Sequence, residues 1–154
     1  MTPGGYVPLP QSVAEAWRSA LKAAQSGNPA AKRDAIRQMK AQIDSAPAAP
    51  ITPPYETETP GSEIAMLAVL GDFDAAFTES AAYLKRGTYA DSGFLFWPNL
   101  ANFRRDPRFM TLAAEVGLVD YWQKSGKWPD FCGDTGMPYD CRKEAGKRDA
   151  VGSR

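Results

Sequence analysis

The 154-residue chain predicts an all-α fold of stacked antiparallel helical hairpins, closed by an irregular aromatic segment toward the carboxy terminus. Three observations carry that expectation. Apolar residues recur at helical spacing in nearly every apolar cluster. Ten of the thirteen prolines and five of the thirteen glycines fall at residues 1–10, 47–61 and 127–138, where they punctuate helices. No stretch alternates apolar and polar residues as a half-buried strand does. The length suits one domain around one core.

The first hairpin is expected over residues 12–44. Ser12-Val13-Ala14-Glu15 fits a capping box, in which the Ser12 hydroxyl and the Glu15 carboxylate satisfy exposed backbone N–H groups. Val13, Trp17, Ala20, Leu21 and Ala24 follow at helical spacing, and Gly27 stops the helix. Asn28-Pro29 then reads as N-cap and first turn of a second helix with Ile36, Met39 and Ile43 on its apolar face. Five prolines between Pro47 and Pro60 make residues 45–61 an extended connector, because each lacks an amide donor and restricts the residue before it.

A second hairpin is expected over residues 62–86. Ser62 is placed to cap a helix reaching Leu70, and Gly71-Asp72 turns the chain into a helix lined by Phe73, Ala76, Phe77, Ser80 and Leu84. From Phe94 to about residue 142 the chain becomes aromatic. Pro98 opens a short helix there, and Asp106-Pro107 caps a longer one carrying Phe109, Leu112, Ala113 and Val116. Leu118, Tyr121 and Trp122 line a last short helix ended by Gly126. Residues 143–154 read as a flexible tail.

The segment MLAVLGDFDAAFTESAAYL resembles the helix–turn–helix junction of a tetratricopeptide repeat, with Gly71 at the turn, Phe73 two positions on and Ala76 three beyond. Comparing Gly27 with Gly71, the first hairpin lies 44 residues upstream. A strict array has a period of roughly 34, so the resemblance implies degenerate repeats, a TPR-like α-solenoid fragment. A longer stretch, LFWPNLANFRRDPRFMTLAAEVGLVDYWQKSGKWPDFC, resembles the carboxy-terminal end of bacterial tetratricopeptide proteins, among them winged-helix regulators and cyclase-like signalling proteins. Neither a winged-helix nor a cyclase pattern precedes it here, so the resemblance implies a scaffold or sensor portion without DNA binding or nucleotide chemistry.

Charge and chemistry narrow the function classes. Eighteen basic side chains balance eighteen acidic ones, so no overall field favours nucleic acid or anionic lipid. No window approaches the roughly 20 apolar residues of a membrane span, and no export signal is visible. The chain therefore reads as soluble and cytoplasmic, or extracytoplasmic if it belongs to an anchored or exported parent. Without histidine, neither a Ser-His-Asp nor a Cys-His arrangement forms, and the glycines fit no phosphate loop. Asp130, Asp134 and Asp140 read as turn formers rather than as a metal or carboxylate-pair site. No catalytic residue, metal or cofactor is expected.

Structural roles fall to Gly71, Phe73, Ala76, Asp106, Pro107, Phe109 and Trp122, and the tryptophans at 17, 97, 122 and 128 read as core. Cys132 and Cys141 are the only cysteines. The chain between them is able to double back. In an oxidising compartment they are expected to bond, closing a ring worth about 2 to 3 kcal/mol; in a reducing one they are expected to be thiols. The spacing is not that of a redox-active CxxC. Arg104 and Arg105 are the candidate contacts for an acidic protein or peptide partner. The leading functional expectation is a non-enzymatic protein-interaction scaffold in a bacterial regulatory or signalling setting. The alternatives are a small-molecule-sensing domain and, more remotely, a carboxylate acid/base enzyme.

Overall fold

The computed structural model describes residues 11–45, 61–86 and 92–149. Among these the regular secondary structure is all helical, with no strand. Eight α-helices occur: α1 (Gln11–Ser26), α2 (Pro29–Ser45), α3 (Gly61–Leu70), α4 (Phe73–Leu84), α5 (Ala101–Arg104), α6 (Arg108–Glu115), α7 (Leu118–Ser125) and α8 (Cys141–Asp149). Three short 3₁₀ turns accompany them, at Gly93–Phe96, Pro98–Leu100 and Asp130–Gly133. The expected proline-rich connector lies outside the described residues.

Helices α1 and α2 are joined by two residues and pack on each other, and α2 packs in turn on α3. Asn28 Oδ1 accepts from the amides of Ala30 (2.9 Å) and Ala31 (3.3 Å), so the α2 cap forms as its sequence requires. The capping box expected for α1 does not form. Helix α1 already includes Gln11 and Ser12, and Glu15 instead accepts from the Gln11 side chain at 2.8 Å. The inward stripe of α1 is Ala16, Ala20 and Ala23, which brings the helix close to its neighbours. That choice turns Leu21 outward, 46% exposed, although its spacing alone groups it with the core.

Helix α3 has no polar face over most of its length, because it lies at the centre. Ile64, Ala65, Met66, Leu67, Ala68 and Leu70 are all buried, and α1, α2, α4 and the first two 3₁₀ turns surround it. Ser62 lies inside this helix rather than capping it. At Gly61 an added Cβ would come within 3.3 Å of the Phe94 ring, so only glycine fits without repacking. Gly71, at φ +91°, makes the turn into α4, and Asp72 caps α4 by accepting from the Ala75 amide at 3.1 Å. Lys40 reaches Asp72 at 3.0 Å, tying α2 to that turn.

Helix α4 buries Ala76, Ser80 and Tyr83, with Phe73, Phe77 and Leu84 half-buried. Phe77 stacks on Phe103 of α5 at 4.1 Å between centroids, and Phe73 meets the same ring edge-on at 6.0 Å. Beyond it, α6 buries Phe109, Met110, Leu112 and Ala113. In α7 the buried residues are Val119 and Trp122, while Tyr121 is 60% exposed and does not belong to the core stripe expected of it. Of the tail expected over residues 143–154, residues 143–149 are helical and residues 150–154 lie outside the described residues. Helix α8 continues to Asp149 and packs on α6, with Ala145 buried beside Cys141.

Candidate functional site

Residues 92–103 carry no charged side chain in a chain that is 23% charged. Within them, Phe94 and Leu95 are buried, whereas the next two residues, Phe96 and Trp97, are 38% and 40% exposed. Backbone chemistry explains the outward display. Trp97 precedes Pro98, which disfavours helical geometry at the preceding residue, and its backbone is extended at φ −60°, ψ 143° between two 3₁₀ turns. Pro98 and Ala101 are also exposed, together with the uncharged amides Asn99 and Asn102, so the ridge is uncharged along its length.

The ridge is braced from below. Arg104 Nη1 donates to the carbonyls of Leu95 (2.9 Å) and Trp97 (3.0 Å), one on each side of Phe96. Its guanidinium lies 5.7 Å from the Phe131 ring centroid, and the Tyr139 hydroxyl donates to the Arg104 carbonyl. Burial pushes the Arg104 guanidinium below its usual pKa, against the opposing pull of Asp134 and Tyr139; as an arginine it stays charged. Phe96 rests on aromatic rings, at 6.3 Å from Phe109 and 6.5 Å from both Trp122 and Phe131. Trp97 meets Phe94 edge-on at 6.5 Å.

Arg104 is therefore turned inward, unlike the exposed contact expected from its sequence. Arg105 is exposed, and its Nη2 donates to the carbonyl of Gly136, fastening α5 to the loop before α8. The neighbouring Arg108 joins α4 to α6: it pairs with Asp106 at 2.7 Å and with Asp74 at 2.5 Å, and lies 4.7 Å over the Phe77 ring. Hydrogen bonds from Arg108 hold the Asp106 carboxyl below the ordinary carboxylate range against its burial. Asp106 Oδ1 also accepts from the Arg108 amide at 2.9 Å, so Asp106-Pro107 does start α6.

Cys132 and Cys141 are disulfide-bonded, with Cα atoms 5.8 Å apart. Beside the bond is a surface groove of about 330 Å³, lined by Trp128, Asp130, Asp140 and Arg142 among others. Arg142 lies 5.4 Å over the Trp128 ring. Asp140 caps α8, accepting from the amides of Arg142 (2.9 Å) and Lys143 (3.1 Å), and these contacts hold its carboxyl low. A second groove of about 460 Å³ lies between α1 and α2, lined by Ala16 and Ala41 as well as by Ser12, Glu15, Gln38 and Gln42. Among the described residues no three His, Cys, Asp or Glu side chains converge as a metal site.

The aromatic ridge is the feature that residue-by-residue reading missed. Its signal was present as an uncharged run holding a Trp-Pro step, but aromatic residues at helical spacing are usually core. Compared with protein-family models, with curated proteins and with solved structures, the chain matches none. No described helix is long and apolar enough to cross a membrane.

Proposed function

We propose that this chain is a non-enzymatic interaction module that offers the Phe96-Trp97 ridge to a protein partner. The observation that carries the proposal is the ridge itself: two adjacent aromatic side chains, exposed, uncharged for several residues to either side, and mounted on a backbone held by Arg104. Interface centres are depleted in charge and enriched in aromatic residues, and a rigid mount lowers the entropy cost of binding. Successive packing of α1, α2, α3 and α4 is the arrangement a degenerate tetratricopeptide-like scaffold would use, with the aromatic segment from α5 onward as its cap. The partner surface that suits the ridge is apolar, since Phe96 and Trp97 are the side chains it exposes.

Small-molecule sensing is the second reading, and the groove beside Trp128 favours it, being of the size of small ligand sites. One experiment separates the two. A photo-reactive residue at Asn99, which is exposed beside the ridge, should crosslink a protein in cells, and purified Trp97→Lys should lose that protein while keeping the wild-type circular dichroism. Binding should also vary little with salt, because apolar contacts are not screened. Undiminished affinity of Trp97→Lys for the crosslinked protein sinks the ridge. Saturable quenching of Trp128 fluorescence by a metabolite would turn attention to the groove.

A further inference from the structure

Helix α8 is poorly equipped to hold itself in place. Six of its nine residues are charged and Gly146 interrupts its middle. Cys141 and Ala145 are the residues it buries among those with described side chains. A helix of this length does not persist in water without tertiary support, and the glycine lowers its propensity further. Its ties to the rest of the molecule include the face it shares with α6, the Arg142 guanidinium over the Trp128 ring, the Cys132–Cys141 bond, and two hydrogen bonds between α5 and the loop before α8, Arg105 to the Gly136 carbonyl and Tyr139 to the Arg104 carbonyl.

The covalent tie also lies next to the ridge. Cys132 follows Phe131, whose ring contacts Phe96, Phe109 and Trp122 and carries the Arg104 guanidinium. Tyr139, whose hydroxyl donates to the Arg104 carbonyl, lies within the ring the disulfide closes. We propose that the Cys132–Cys141 bond is a redox clasp: its reduction by a dithiol frees α8 and residues 134–140 from α6 and α5, and loosens the ridge that Phe131 and Arg104 support. The release depends on this packing alone; its regulatory meaning rests on the ridge being the binding surface.

The chemistry balances with a dithiol reductant. One thiolate attacks Cys132 Sγ, the more accessible sulfur, and the S–S electron pair leaves on Cys141 Sγ, which takes a proton. The second thiolate of the reductant then breaks the mixed disulfide. Cys132 leaves as a thiolate and takes the second proton, and the reductant departs as a disulfide. The protein gains two electrons and two protons. A CxxC spacing is what a catalytic dithiol needs, and a clasp does not need one.

Hydrogen exchange on the whole chain tests the release, comparing oxidised protein, protein reduced with dithiothreitol and verified by alkylation, and a Cys132→Ser, Cys141→Ser variant without reductant. Amides of α8 and residues 134–140 should lose protection on the order of 100-fold in the last two, which is the loop-closure contribution of a ring of about ten residues. Those of α1 to α4 should not change. Unchanged α8 protection in the reduced protein overturns the clasp, and so does equal loss through every helix, which would make the bond a global staple. With the crosslinked protein in hand, binding should weaken in the reduced form; full affinity with α8 released overturns the coupling to the ridge. A failure of Trp97→Lys to affect binding would count against the ridge alone and leave the exchange result standing.

Discussion

Arg104 stands in a run rich in arginine that reads as surface, yet its guanidinium donates inward to the Leu95 and Trp97 carbonyls. Arg104→Ala should therefore destabilise the protein by about 2 kcal/mol, since charge-assisted hydrogen bonds to partly buried carbonyls are lost together. Arg104→Lys should recover little of it, because an ammonium lacks the planar fork. Urea midpoints of the three proteins decide this, and a wild-type midpoint for Arg104→Ala would show the brace to be idle. Ser80 makes the opposite case. Its hydroxyl is fully buried without a hydrogen-bond partner, so Ser80→Ala should raise the melting midpoint, by about 1 kcal/mol of stability.

Tyr139 sets an alkaline limit on the same brace. Its phenol is pushed up to about 12, by burial first and by Asp106 and Glu144 after it. The folded state then holds the proton more tightly than the unfolded chain, whose phenol titrates near about 10. The stabilisation is complete below about pH 10 and is lost as pH rises toward 12. Tyr139→Phe has no such proton to lose. Its urea midpoint should fall less than that of the wild type between about pH 9 and pH 11.5, and parallel declines would contradict this.

Among the helices, those with a cap or an apolar stripe written locally were legible, and those defined by their neighbours were not. Asn28, Asp72 and Asp106 start α2, α4 and α6 where turn chemistry places them. The starts of α1 and α3 differ from the sequence expectation, because Ser12 and Ser62 have the composition of caps but lie inside their helices. Phe109 and Trp122 anchor α6 and α7 against the same aromatic cluster. Truncating either to alanine should cost about 3 to 5 kcal/mol, read from chemical denaturation. Tyr121→Ala, one position from Trp122 but 60% exposed, should change stability little. The contrast between Trp122→Ala and Tyr121→Ala tests which face of α7 is inside.

The buried residues run without a break from Ala16 in α1 to Ala145 in α8, with α3 at the centre. One contiguous core implies one cooperative transition. Thermal unfolding of the oxidised protein should therefore superpose when followed by far-ultraviolet circular dichroism and by tryptophan fluorescence, which reports on both Trp17 and Trp122. Two separated transitions would divide the molecule between α1–α4 and the aromatic segment.

Local information determined the helical content and the positions of most breaks, because caps, glycine turns and apolar spacing act over a few residues. Tertiary structure alone decided which side of each helix is covered. Leu21 and Tyr121 have the spacing of core residues and face solvent, since α1 packs through alanines and α7 through Val119 and Trp122. Arg104 was drawn inward by carbonyls that only the 3₁₀ turns place within its reach, and the same turns pushed Phe96 and Trp97 out. The physical reason is that exposure belongs to a residue's neighbours in space, and in this chain those neighbours come from elements that periodicity treats one at a time.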